Sequence, residues 1–261
     1  MAEYENDEME PTPPPPALEP TPEPAQMSEG ASLGNIFIEP GNVFQDLRRK
    51  PRFLLAGLIT IILFSAFQII FIQKVGLENV VRARIDSSSR TRDLPEDQKK
   101  TIISQQGGNI AKYVTFAITP VVLVIVFLIG ALLYWGLSNA MGGSNTFLGG
   151  LAVYVYSGLP PTVVFFVGNM LVLFLKSTDD IDLAHSQGGL LKASLAFFID
   201  PNSSPVLAAF LGAFDLFTIW GWVLAAIGLQ KVAKISSGAA WACVLILGVV
   251  GVAAKTIPAF F

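Results

Sequence analysis

Residues 53–72 read FLLAGLITIILFSAFQIIFI, twenty positions without a charge and with Gln68 as the only strongly polar side chain. A helix rises about 1.5 Å per residue, so such a run matches the roughly 30 Å hydrocarbon core of a bilayer. Four more runs of the same kind follow. Tyr113–Leu137 carries Pro120 in its first turns. Phe147–Leu175 is longer than a crossing needs and has Pro160-Pro161 at its centre. Pro205–Leu229 is interrupted only by Asp215, and Gly238–Ala254 is short, fully apolar and followed by Lys255-Thr256-Ile257-Pro258. Of the 261 residues, 52% are hydrophobic and 14% charged. Soluble domains carry about 25% charged residues, and so much apolar surface cannot all be hidden in one water-soluble core of this size. The expected fold is all-α: a polytopic membrane protein whose residues 53–258 form a bundle of about five transmembrane helices.

The segments outside the runs differ sharply among themselves. Residues 1–34 hold eight Asp or Glu, eight Pro and no Lys or Arg. Prolines deny backbone donors, the carboxylates repel one another and little apolar surface is present to bury, so residues 1–33 read as a disordered acidic tail. Met1–Glu10 is acidic where a secretory signal needs a basic start. Two readings of the tail stand: a solvated spacer, or a docking peptide for a partner with a proline-reading groove. In Gly34–Arg52, Pro40 can open a helix, Val43, Phe44 and Leu47 recur at helical spacing, and Arg48, Arg49, Lys50 and Arg52 follow. An apolar stripe with a basic end predicts a short interfacial helix. Leu94–Gln106 in the long polar loop after the first run reads as helical, with Pro95-Glu96-Asp97 as its start. Leu190–Ile199 reads as a second interfacial segment ended by Asp200-Pro201.

Orientation is contested within the sequence. Arg48–Arg52 and Lys231/Lys234 argue for a cytoplasmic N-terminus, whereas residues 73–112 carry eight Lys or Arg and would then lie outside. The short flank directly abutting the first span decides for the cytoplasmic N-terminus.

Asp215 is the one acid inside an expected span. A carboxylate at membrane depth costs several kcal/mol unless paired, protonated or hydrated. It reads either as part of a proton or ion relay, or as a structural polar contact with Asn139, Asn169, Ser157 or a tyrosine hydroxyl. Pro160 and Pro161 each remove a helical hydrogen bond, so the third span is expected to kink or break between Gly158 and Thr162. Trp220 and Trp222 lie deep enough in the fourth run for packing as much as for anchoring at the interface. A single cysteine, Cys243, excludes an intrachain disulfide scaffold, and a single histidine, His185, excludes a histidine-rich metal centre. Asp179, Asp180 and Asp182 lack the glycine and distal glutamate of a calcium loop. No phosphate loop and no Ser-His-acid set is present. The sequence therefore points to no enzyme, no cofactor, no metal and no nucleic-acid partner.

Three stretches carry a family likeness. They are Ile38-Glu39-Pro40-Gly41-Asn42-Val43-Phe44 with Lys50-Pro51; Phe147-Leu148 through Tyr154 and Tyr156-Ser157-Gly158-Leu159-Pro160; and Phe214-Asp215-Leu216-Phe217 with Ile219-Trp220 and Leu224 to Gly228-Leu229. In this order, over Phe37 to Pro258, the chain resembles the Yip family of Ypt/Rab-interacting membrane proteins, and especially its bacterial branch. The resemblance implies five helices, a cytosolic N-terminus and a C-terminus on the far side. Eukaryotic members are associated with vesicle trafficking and small GTPases; residues 154–161 lack their full tyrosine-and-leucine pattern.

These readings converge on a multi-pass protein of a bacterial inner membrane. Its expected work is non-enzymatic organisation of membranes or partner proteins, with the lipid bilayer as one partner and residues 1–52 as the surface for a protein partner. The rival expectation is a small transporter, channel-like or lipid-moving protein using Asp215 and a broken third helix. Candidate polar-site residues are Asp215, Asn139, Tyr154, Ser157, Pro160, Pro161, Asn169 and Trp220.

Overall fold

The structure, a computed structural model, describes residues 25–88, 90–178, 180–183, 189–191, 193–199 and 203–257. Most of the acidic tail, Asp179, His185, Asp200-Pro201 and Pro258 lie outside the described residues. The chain runs through α1 (Glu29–Asn35), α2 (Pro40–Arg49), α3 (Leu54–Val75), α4 (Leu77–Ser87), α5 (Glu96–Gly107), α6 (Asn109–Ala140), α7 (Phe147–Leu175), α8 (Pro205–Gly212), α9 (Leu216–Ala233) and α10 (Ser237–Thr256). Five of these, α3, α6, α7, α9 and α10, are long and apolar enough to cross a membrane.

α7 is the central post, with α3, α6 and α9 packed around it and α10 against α9. Tyr156, Leu159, Val153 and Val155 of α7 are buried, as are Leu229 of α9 and Val244 of α10. The outer faces are equally greasy. Ile118, Val121, Ile125, Ile129 and Leu132 of α6 recur at helical spacing and are each about half exposed, at 52%, 55%, 49%, 52% and 51%. A stripe that apolar would cost heavily in water, whereas hydrocarbon matches it at no desolvation penalty.

Short polar clasps hold the ends of the bundle. Asn139 and Asn145 bond reciprocally across the α6–α7 turn: Asn145 N donates to Asn139 Oδ1 at 2.7 Å and Asn139 Nδ2 to Asn145 O at 3.1 Å. Gly142, with φ +83°, supplies the left-handed residue that this turn requires. Ser144 N donates to Ala233 O at 2.9 Å, joining this turn to the α9–α10 connection. At the other end Lys74 Nζ donates to the carbonyls of Leu173 and Lys176, capping the end of α7 from the end of α3. The long loop holds two helices rather than one. α4 and α5 form a hairpin around Val81, Ile85 and Ile103, with Lys99 within 3.6 Å of Asp86.

Several local expectations differ from the structure. The tail expected to run to Leu33 gives way to helix at Glu29, because Ser28 caps α1 by accepting from Ala31 N at 3.1 Å. The stripe Val43, Phe44 and Leu47 of α2 is not left for the headgroup layer. It is fully buried against the bundle, chiefly on α9, where the bare Cα of Gly228 leaves room for the Phe44 ring. Among the described residues of 190–199, Leu195–Phe198 alone is helical, as one 3-10 turn. Its neighbours are tied by bonds from elsewhere, Leu190 N and Leu191 N donating to Asn169 Oδ1 and Ala193 O accepting from Leu216 N.

Candidate functional site

The fourth expected span is two helices, and Asp215 is the reason. At φ −89°, ψ 159° its backbone is extended, and its carboxylate accepts from Phe217 N and Thr218 N, each at 2.9 Å, and from the Thr218 hydroxyl. Those are orphan donors that any helix start leaves behind. Leu216 N, which would otherwise bond back into α8, donates instead to Ala193 O at 3.0 Å. Asp215 thus caps α9 at the start of the crossing rather than interrupting it halfway. Among the described residues, none of Asn139, Asn169, Ser157 or the tyrosines bonds to it.

The other nominated residues sit apart. Pro160 and Pro161 are buried inside α7, which runs unbroken from Phe147 to Leu175; of the kink or break expected between Gly158 and Thr162, the break does not occur. The carbonyls that lose a helical donor are those of Tyr156 and Ser157. Gly221 of α9 lets the neighbouring backbone approach the second, where an added Cβ would lie 3.7 Å from Ser157 O, and Ser157 Oγ separately donates to Tyr154 O at 3.0 Å. Asn169, fully buried, donates to Phe165 O at 2.7 Å and accepts from Leu190 N and Leu191 N, so it anchors the loop that returns to α8. Tyr154 packs against Tyr134 (ring centroids 5.6 Å) and Phe127 (6.2 Å), and Trp220 meets Phe37 edge-on at 6.4 Å. Asn139 belongs to the α6–α7 clasp described above. The eight residues do not form one site.

Sequence reading missed the strongest polar cluster. Asp46, 2% exposed, pairs with Arg52, 13% exposed. Arg52 also donates to Met27 O and to Ser32 Oγ, and Asp46 accepts from Gln26 N at 2.6 Å. Glu29 reaches the start of α3, where its Oε1 accepts from Leu55 N at 3.4 Å. The lead-in 26–35 is thereby strapped across the junction between α2 and α3. Beneath it lies the fully buried Tyr156 of α7. The signal was present: Asp46 lies three residues beyond Val43 on the apolar face of α2, where a solvated acid does not belong. In the sequence Arg52 looks no different from the three other cations of the flank, Arg48, Arg49 and Lys50.

A second feature is a cleft of about 360 Å³ among α6, α7, α9 and α10, with Tyr134, Tyr154, Thr218 and Trp222 in its walls. Among the described residues, no three His, Cys, Asp or Glu side chains gather as a metal-binding group.

The Yip1 domain profile matches residues 34–255, which takes in all five crossings and the α2 lead-in but not the acidic tail. The chain belongs to the Yip1 domain family. It is also similar to membrane protein YknW of Bacillus subtilis (strain 168), 27% identical over 220 residues that cover 84% of this chain and 86% of that relative. No solved structure matches it. With the family and the five apolar helices together, the chain is an integral, multi-pass membrane protein.

Proposed function

We propose that this Yip1-domain protein is non-enzymatic and organises partner proteins at a bacterial cell membrane, with residues 1–52 as the cytoplasmic docking element. The Asp46–Arg52 strap carries the proposal. A buried ion pair gains little net stability over apolar packing, yet fixes the position of whatever it binds. Here it fixes residues 26–35, and so sets the point on the bundle from which the acidic, proline-rich tail departs. The Arg48–Arg52 flank beside α3 supports a cytoplasmic N-terminus. The relative from Bacillus subtilis supports a bacterial cell membrane.

The rival reading, a transporter or lipid-moving protein, rested on an uncompensated membrane acid and a broken third helix. Asp215 is compensated as a helix cap and α7 is continuous, which favours the organising role. The proposal is tested by co-purification from gently solubilised membranes of the native host, comparing the full chain with one lacking residues 1–24. A defined partner retained by the full chain and lost on truncation is the expected result. A chain that emerges alone in both forms overturns it. Flux in proteoliposomes that Asp215→Asn abolishes would establish the rival instead.

A further inference from the structure

The face of the bundle that carries α2 and the end of α9 has cations that no acid answers. Arg48, Lys50, Lys231 and Lys234 are exposed, and none of them has an ion pair among the described residues. The described acids of this face are already engaged. Asp46 pairs with Arg52, Glu39 accepts from Asn42 Nδ2 at 2.9 Å, and Glu29 accepts from Leu55 N. The α4–α5 hairpin, on the opposite face, differs. There Arg82, Arg92 and Lys99 each find an acid of their own segment within 3.6 Å.

These cations form a row along α2. Lys231 reaches its first turn, where a Cβ added at Gly41 would lie 3.7 Å from Lys231 Cε. Arg48 follows Gly41 by seven residues, two turns along the same side of the helix and about 10 Å away. Lys50 is the C-cap of α2. Residues 1–24 carry the opposite charge, seven Asp or Glu and no Lys or Arg. They join the bundle at Gln26, whose amide is fixed on Asp46, one turn before Lys50. The acids nearest that point are Glu23 and Glu19, each followed by a proline, which confines the residue before it to extended backbone. At about 3.1 Å per residue, Glu23 lies within about 9 Å of Gln26, in reach of the long side chains of Arg48 and Lys50. Glu19 lies up to about 12 Å further, which matches the interval from Arg48 to Lys231. So short a tether presents both carboxylates to the row at roughly millimolar effective concentration.

We infer that residues 19–23 dock on this row of cations of their own chain. The contact needs no partner protein, so it stands or falls separately from the role proposed above. The full-length protein is placed one copy per nanodisc in phosphatidylcholine, which offers no net anionic headgroup. A carbodiimide then joins carboxylates directly to lysine amines in contact with them, and the links are mapped by mass spectrometry. The expected links run from Glu19 and Glu23 to Lys50, Lys231 and Lys234. Salt at about 0.5 M should lower their yield about threefold, because surface charges are then screened within ~5 Å. Arg48→Gln removes no linkable amine and should lower the yield about twofold, the effect of one exposed ion pair. Absence of these links overturns the inference, and so do links that salt leaves unchanged. Equal yield in Arg48→Gln also overturns it, since that marks only collisions of a tethered chain. Links that disappear when phosphatidylglycerol replaces phosphatidylcholine overturn it as well, and make the anionic leaflet the occupant.

Discussion

Arg52 directly precedes Phe53, the N-cap of α3, and its largely buried guanidinium is satisfied through its two terminal nitrogens, while Nε finds no partner among the described residues. Removing either partner of the pair leaves the other as an uncompensated buried charge. Arg52→Ala or Asp46→Ala is therefore expected to lower the unfolding free energy in detergent micelles by about 3 kcal/mol and to expose residues 26–35 to protease. Replacing both, as Asp46→Leu with Arg52→Met, is expected to recover most of that stability while the strap stays loose. Glycines at closely packed positions make a second set of residue-scale predictions. Gly130→Ala places a methyl carbon inside the Tyr154 ring and is expected to cost about 1–3 kcal/mol through forced repacking. Gly136→Ala, on the same helix with nothing within 4 Å, is expected to be neutral or slightly stabilising. Thermal unfolding of the two variants side by side, read by circular dichroism, checks the contrast.

At the scale of elements, α9 depends on its cap. Asp215→Ala should destabilise the protein by about 1 kcal/mol, whereas Asp215→Asn, an equally good capping residue, should be near neutral. A relay carboxylate would show the reverse sensitivity, with Asp215→Asn losing function at full stability. The five long helices were legible in the sequence because hydrocarbon imposes one simple rule, sustained apolarity, and α3, α6, α7 and α10 obey it almost to their ends. The exceptions were places where a local bond overrides that rule. Leu216 N finds Ala193 O outside its own helix, so one apolar run becomes α8 and α9. Across Pro160-Pro161 the apolar neighbours and Gly221 pack closely enough to carry α7 through two missing donors. The stripe of α2 was visible, but sequence periodicity does not say whether such a face meets lipid or protein, and the Phe44–Gly228 contact decides for protein. The Asp46–Arg52 pair eluded the sequence reading because its partners, Gln26 and Met27, come from a stretch read as disordered.

For the whole molecule, five crossings put the two ends of the bundle on opposite faces. α3, α6, α7, α9 and α10 alternate in direction, and the α6–α7 and α9–α10 connections meet on one face through Ser144 and Ala233. The α4–α5 hairpin and the connection between α7 and α8 then share the opposite face, tied by Lys74. The lead-in 26–35 is bonded to the α2–α3 junction, and α2 packs near the end of α9, so residues 26–35 lie on the same face as the two short connections, and α10 ends on the opposite face. The most direct measurement is labelling of each terminus, through a small tag, with a membrane-impermeant reagent in intact and in permeabilised cells. The C-terminal tag is expected to label in intact cells and the N-terminal tag only after permeabilisation. Equal labelling of both ends in intact cells, or protection of both, would mean an even number of crossings and would contradict the five.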